Sequence, residues 1–215
     1  MREGRGLCRF LGQDGRYYFS YEREGRRHKQ VQNKNQKNQK WRGGGKVISE
    51  SYERLSHSER KLLARSAGKR IEDVPKAIIP FYRVMDLTKT DENGRTYKVD
   101  EEAYFAALCI CCMFEDISGE TIDPADFIAR GRKSRDLGSL EGYDRRIAAL
   151  MGNTEPVYFI AKLARLFDYA KELVSGAVPD CDILYDDIRR IYYDGKPVQR
   201  RWARKIYAER EKTNE

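Results

Sequence analysis

Apolar residues recur at helical spacing over most of the chain after residue 45, and the pattern is sharpest from Asp182 to Tyr207. Leu184, Ile188 and Ile191 fall on one stripe, which predicts a helix with a face to bury. Asp194-Gly195 is a turn dipeptide, and Pro197 sits in a first turn, where its missing N–H costs nothing. Val198, Trp202 and Ile206 then follow at i, i+4 and i+8, a narrow apolar seam on a second helix. At about 100° per residue, Arg200, Arg201, Arg204, Lys205 and Lys212 cover most of the opposite half. No Asp or Glu lies between Lys196 and Ala208, so ion pairing within this helix is not what those charges are for.

Upstream the same period continues. Ser56-His57-Ser58-Glu59 reads as a capping box opening the helix ERKLLARSAG, closed by Gly68, with Leu62, Leu63 and Ala67 inward. Pro75 and Pro80 bracket short helical pieces ending in PFYRVMDL, where Phe81, Val84 and Met85 belong to a core. A polar loop, TKTDENGRTYK, leads to Asp100, which caps the helix DEEAYFAALCICCMF. That helix is apolar on nearly all sides, so it belongs at the centre. Asp123-Pro124 starts another short helix, and RGRKSRDLGSLEG reads as a glycine-punctuated loop before the helix YDRRIAALMG. Thr154 or Glu155 before Pro156 begins a longer helix, VYFIAKLARLFDYAKELV.

Residues 1–45 break the pattern. CRFLGQDGRYYFSY alternates about Gln13-Asp14-Gly15 and could form a hairpin. The Lys/Asn/Gln tract that follows has too little apolar content to offset its ordering entropy, and reads as a flexible basic arm. The expected fold is therefore all-α: two small helical bundles in one compact chain, 46–122 and 123–215, preceded by a basic, largely flexible N-terminal extension.

Charge changes the picture less than its total suggests. The 215 residues carry a net charge of +8, with 42 Lys or Arg against 34 Asp or Glu. Residues 1–45 hold 12 basic against 4 acidic residues, so the helical part is neutral. Its basic groups nevertheless cluster near 60–70, 130–135, 145–146 and 200–205, and its acids near 91–102, 115–126 and 180–187. Basic groups that converge in space would form a stripe able to follow a phosphate backbone.

Candidate chemistry is sparse. The chain has no G-x-x-x-x-G-K-[ST] loop; Gly43-Gly44-Gly45-Lys46 lacks both the preceding strand and the following hydroxyl residue. Cys109, Cys111 and Cys112 crowd one apolar segment as small buried hydrophobes, without a partner pair at zinc spacing. His28 and His57 stand apart in polar segments; the carboxylates at 182–187 are the only candidates for a nuclease, and Asp186-Asp187 diverge on a helix. The sequence predicts no enzyme, no cofactor and no metal. The five cysteines and the lack of an apolar run of bilayer length suggest a cytoplasmic protein. No helix-turn-helix or aromatic sheet platform emerges, so the basic groups look like backbone contacts that do not read sequence.

Several stretches in a fixed order resemble the CasB family, the small subunit of the type I-E CRISPR surveillance complex, Cascade. They are LLARSAGKR followed by IPFYRVM, then SLEG followed by YDRRIAALM, and finally DILYDDIRRIYYDGKPVQRRWARKIY, which is the most specific. The resemblance covers about Lys46 to Ala208, and residues 1–45 have no counterpart in it. It implies an all-helical, non-catalytic protein of two small bundles that pairs head to tail with a second copy. It would lie beside the guide RNA (crRNA), against the backbone subunits and the large subunit. Its basic surface would hold the target DNA and the displaced strand. By position, the residues that inherit this role are Lys61, Arg65, Lys133, Arg135, Arg145, Arg146, Arg200, Arg201 and Arg204. Charge reversal at Arg200, Arg201 and Arg204 is then expected to weaken DNA retention and spare the fold. The alternative is a structural helical adaptor whose basic face pairs with acidic protein partners.

Overall fold

The computed structural model describes residues 7–11, 17–21, 30–32, 47–86, 88–90, 96–114, 120–135 and 137–207. The chain divides into two compact units, 1–42 and 43–215. In the first, β1 (Leu7–Leu11) pairs antiparallel with β2 (Tyr17–Tyr21), Leu11 opposite Tyr17, as the hairpin reading requires; its turn residues lie outside the described ones. A third strand, β3 (Gln30–Gln32), pairs with β2 inside the tract that reads as a flexible arm. The rest of that tract lies outside the described residues.

The second unit is helical. It runs α1 (Val47–Glu53), α2 (His57–Ala64), α3 (Pro75–Val84), α4 (Glu101–Cys111), α5 (Pro124–Lys133), α6 (Leu137–Met151), α7 (Pro156–Lys171), α8 (Cys181–Asp194) and α9 (Lys196–Tyr207). The starts follow from local chemistry. Asp100 and Asp123 accept hydrogen bonds from the N–H groups of Ala103 (3.1 Å) and Ala125 (2.9 Å). Ser56 N–H donates to Glu59 Oε2 at 2.9 Å, the reciprocal half of the capping box. The turn after α2 closes on Gly68 at φ +78°, where an added Cβ would also lie 3.1 Å from Ala161 and Ala164 of α7.

The core forms around α4, where every side chain from Ala103 to Cys111 is buried. Its most extensive neighbour is α8, and α1, α2 and α7 also pack on it. Cys111 of α4 and Cys181 of α8 form a disulfide across that contact, with Cα atoms 6.0 Å apart. The reading of Cys111 as a plain buried hydrophobe is corrected accordingly. Cys109 and Cys112 are free and buried, and desolvation pushes the Cys112 thiol up to about 12.

Two segments read as loop are ordered differently. TKTDENGRTYK supplies a strand pair, β4 (Thr88–Thr90) with β5 (Thr96–Lys98). A short parallel pair, β6 (Glu120–Ile122) with β7 (Ala177–Pro179), leads into the starts of α5 and α8, so the helical unit is not free of strands. Most of RGRKSRDLGSLEG is helix, because α5 continues through Gly131 to Lys133 and α6 already begins at Leu137. Gly131 is there for space. A Cβ on it would stand 2.6 Å from the hydroxyl of Tyr143, which donates to Ile128 O at 3.2 Å.

Gly131→Ala is therefore expected to destabilise by about 1–3 kcal/mol through overpacking, measured by urea unfolding. Adding Tyr143→Phe, which removes the offending oxygen, should restore most of that. Equal losses in the single and double variants would show that the glycine matters for another reason.

Candidate nucleic-acid interface

The seam of α9 docks as its spacing predicts, with Val198, Trp202 and Ile206 buried. Its polar half is divided. Arg201 ion-pairs with Asp187 of α8, a carboxylate only 1% exposed, and the same Oδ2 accepts from Trp202 Nε1 at 2.9 Å. Lys205 reaches Asp123 Oδ2 at 2.9 Å and Asp126 Oδ2 at 3.0 Å, at the start of α5. Neither pairing is made within α9, in line with the sequence reading; the acids come from α8 and from the start of α5. It follows that charge reversal at Arg201 strikes the fold as well as the surface, contrary to the sequence reading. Arg200 and Arg204 are exposed, one turn apart on the outer side of α9.

The carboxylates on α8 are equally committed. Burial raises the pKa of Asp187 although Arg201 and Trp202 both favour its ionised form. Burial likewise raises Asp186, which lies 3.5 Å from Arg189. Among the described residues no cluster of three or more metal-ligating side chains occurs.

A second group assembles where α5 ends and α6 and α7 lie side by side. Tyr169 of α7 carries the guanidinium of Arg135 at 4.4 Å from its ring centroid and that of Arg146 at 4.6 Å. Two predicted residues from different elements thus meet on one aromatic ring, held by attraction to its π face. Arg146 Nη1 also donates to Gly142 O at 3.1 Å, and the buried Nε of Arg135 meets no acceptor among the described residues. Beneath them Arg132, 7% exposed, forms a fork with Asp144 at 2.6 and 2.9 Å and lies 4.9 Å from the Tyr207 ring centroid. That bidentate pair fixes the α5 end against α6 and α9.

The remaining candidates are simpler. Lys133 is exposed in the last turn of α5, and Arg145 forms an exposed i,i+4 pair with Glu141 at 2.9 Å. Such a pair is worth about 0.3–0.5 kcal/mol and leaves Arg145 available to a stronger anion. Lys61 and Arg65 are exposed, one turn apart at α2 and its end. Contacts therefore join Arg135 to Arg146, whereas Lys61 and Arg65 sit on a different helix without a contact to that pair. Tyr169 was missed by counting only charges. The spacing that carries it, Tyr158, Lys162, Arg165 and Tyr169 at i, i+4, i+7 and i+11, was visible in the sequence.

Among the described residues no helix is long and apolar enough to cross a membrane. A family model described as CRISPR-associated protein Cse2 matches residues 59–207. No curated protein and no solved structure matches the chain.

Proposed function

Because the chain belongs to the Cse2 (CasB) family, a structural component of the CRISPR Cascade complex, we propose that it is the subunit that holds nucleic-acid backbone there without reading sequence. In this role it steadies the target DNA and the displaced strand while the guide RNA pairs. The observation that carries the reading is the meeting of Arg135 and Arg146 on Tyr169, with Arg200 and Arg204 exposed on α9. Two cations from separate elements gathered on one ring, with two more exposed on α9, suit a polymer with a phosphate at every step, where binding releases counterions. Base pairing supplies specificity in an RNA-guided system, so a protein need only tip a nearly balanced strand exchange.

The rest of the proposal follows from the family. The subunit works in the cytoplasm, pairs head to tail with a second copy, and is held by the backbone and large subunits. Its two bundles divide near residue 123. It acts through binding and carries no catalytic step.

The test uses the assembled complex with a matched target. Arg200→Glu with Arg204→Glu is expected to speed target loss at least tenfold near 0.15 M salt, while assembly and the thermal midpoint stay unchanged. Retention equal to that of the unaltered complex in both low and high salt would leave the adaptor reading, in which the basic face meets acidic protein. That reading has one observation behind it: Arg201, Lys205 and Arg130 already pair with carboxylates of this chain.

A further inference from the structure

The exposed side of α7 differs from the other basic surfaces because it sets two cations between two rings. Tyr158, Lys162, Arg165 and Tyr169 fall within about 30° of one line on a helix of 3.6 residues per turn, and span about 16 Å. No Asp or Glu stands on that line. Of the nearest acids, Asp168 is paired with Lys171 at 2.7 Å, and Glu155 and Glu172 lie at the two ends of α7.

Helix α6 provides the facing wall with the same spacing. Gly142, Arg146 and Ala149 line up on α6 at i, i+4 and i+7, and Asn153 lies two residues past its end. Lys162 Nζ donates to Ala149 O at 3.2 Å, and Arg146 lies over Tyr169, so the helices run antiparallel with these stripes adjacent. Gly142 and Ala149 keep the wall low. At the far end Asn153 Nδ2 donates to Ala149 O at 2.8 Å, and Asn153 O accepts from Gln199 Nε2 of α9 at 2.5 Å. Asn153, five residues before Tyr158, thus meets the first turn of the helix that carries Arg200.

The two tyrosines are not equivalent. Tyr169 is partly covered, with Arg135 and Arg146 over its ring. Tyr158 is 64% exposed, and among the described residues no ring or guanidinium packs on it. A large aromatic side chain held in water on a rigid helix, one turn from a lysine and two from an arginine, has a free face for a flat apolar partner. Double-stranded nucleic acid keeps its bases stacked on one another and offers a helix wall only phosphates and groove edges. A single strand offers both phosphates and unstacked bases.

We propose that the α6–α7 groove seats a short stretch of single-stranded nucleic acid, with a base stacked on Tyr158 and phosphates on Lys162, Arg165 and Arg146. This deepens the function proposed above and rests on it, by adding a base-contacting residue and a seat for the single strand. Every base has a π face, so the contact is indifferent to sequence, consistent with a subunit that leaves specificity to the guide. About 16 Å accommodates roughly three to five nucleotides at the rise of a stacked strand or somewhat longer.

The experiment measures binding of the full chain to three fluorescent probes at low salt: oligothymidylate, an abasic strand of equal length, and a duplex. Stacking on one ring is worth about 1–3 kcal/mol per base. The unaltered chain should therefore prefer oligothymidylate to the abasic strand by roughly five- to 150-fold. Tyr158→Ala should abolish that preference without changing duplex binding, and Tyr158→Phe should retain it. Arg165→Gln should weaken all single strands, abasic included. Equal binding of the two strands by the unaltered chain, or a preference that survives Tyr158→Ala, would overturn the stacking site. If Arg200→Glu with Arg204→Glu still weakens binding in that case, the backbone-holding function stands without it. Absence of binding to every probe would overturn both.

Discussion

Arg201→Ala is expected to destabilise the chain by about 3 kcal/mol, whereas Arg200→Ala, its neighbour, should change stability by no more than about 0.5 kcal/mol. The contrast follows from what each residue leaves behind. Without Arg201, Asp187 keeps Trp202 Nε1 as its one hydrogen-bond donor among the described residues, inside the α8–α9 contact, where its charge has no access to water. Arg201 itself keeps one side in solvent, so the loss falls at the low end for breaking a buried ion pair. The effect must also depend on pH. Burial raises the Asp187 pKa above its unfolded value of about 3.9. The folded state therefore binds that proton more readily, and stability drawn from this residue falls as pH rises through the raised value. Removing Arg201 raises it further, so the deficit should be larger at pH 8 than at pH 5 in urea unfolding. In an Asp187→Asn background, where the amide oxygen can still accept from Trp202, Arg201→Ala should cost little. A deficit independent of both pH and the residue at 187 would mean that Arg201 acts only through packing.

This pair also marks where sequence stops being informative. The α9 seam was legible because 3.6-residue spacing places Val198, Trp202 and Ile206 on one face whatever lies beneath. The caps at Asp100 and Asp123 were legible because each bond closes within three residues. The partner of Arg201 lies 14 residues away and that of Lys205 lies 79 away, and no local pattern announces either. The Cys111–Cys181 bond spans 70 residues for the same reason. Gly131 misled more actively. Glycine beside Arg, Lys and Ser suggests a loop, yet the segment is helical, and glycine stands in it because Tyr143, on the next helix, occupies the space of a Cβ. Of the candidate site, the charges were readable and their grouping was not. Arg135 and Arg146 belong together because Tyr169, which a charge count ignores, lies under both.

Removing that pair should change how binding responds to salt more than how it responds to sequence. For the full chain on a single strand, a plot of log affinity against log salt should flatten by about 1.4 when Arg135 and Arg146 are both changed to Gln, if each meets one phosphate. Between 50 and 200 mM salt the unaltered chain should then lose roughly sevenfold more affinity than the variant. Tyr169→Leu separates charge from placement. It keeps both guanidiniums yet frees them from the ring, so the slope should flatten less than in the double variant while affinity at low salt still falls several-fold. A slope unchanged by the double variant would mean that these cations serve only to pack α5 and α6 on α7. A strand would then have to be held by other cations, Arg200 and Arg204 of α9 or Lys162 and Arg165 of α7. The distinction matters physically because α9 offers two arginines from a single helix with no ring among the described residues to orient them, which any polyanion satisfies. The Tyr169 cluster instead holds two planar cations from separate elements on one ring, an arrangement that favours a chain of phosphates lying along the α6–α7 surface.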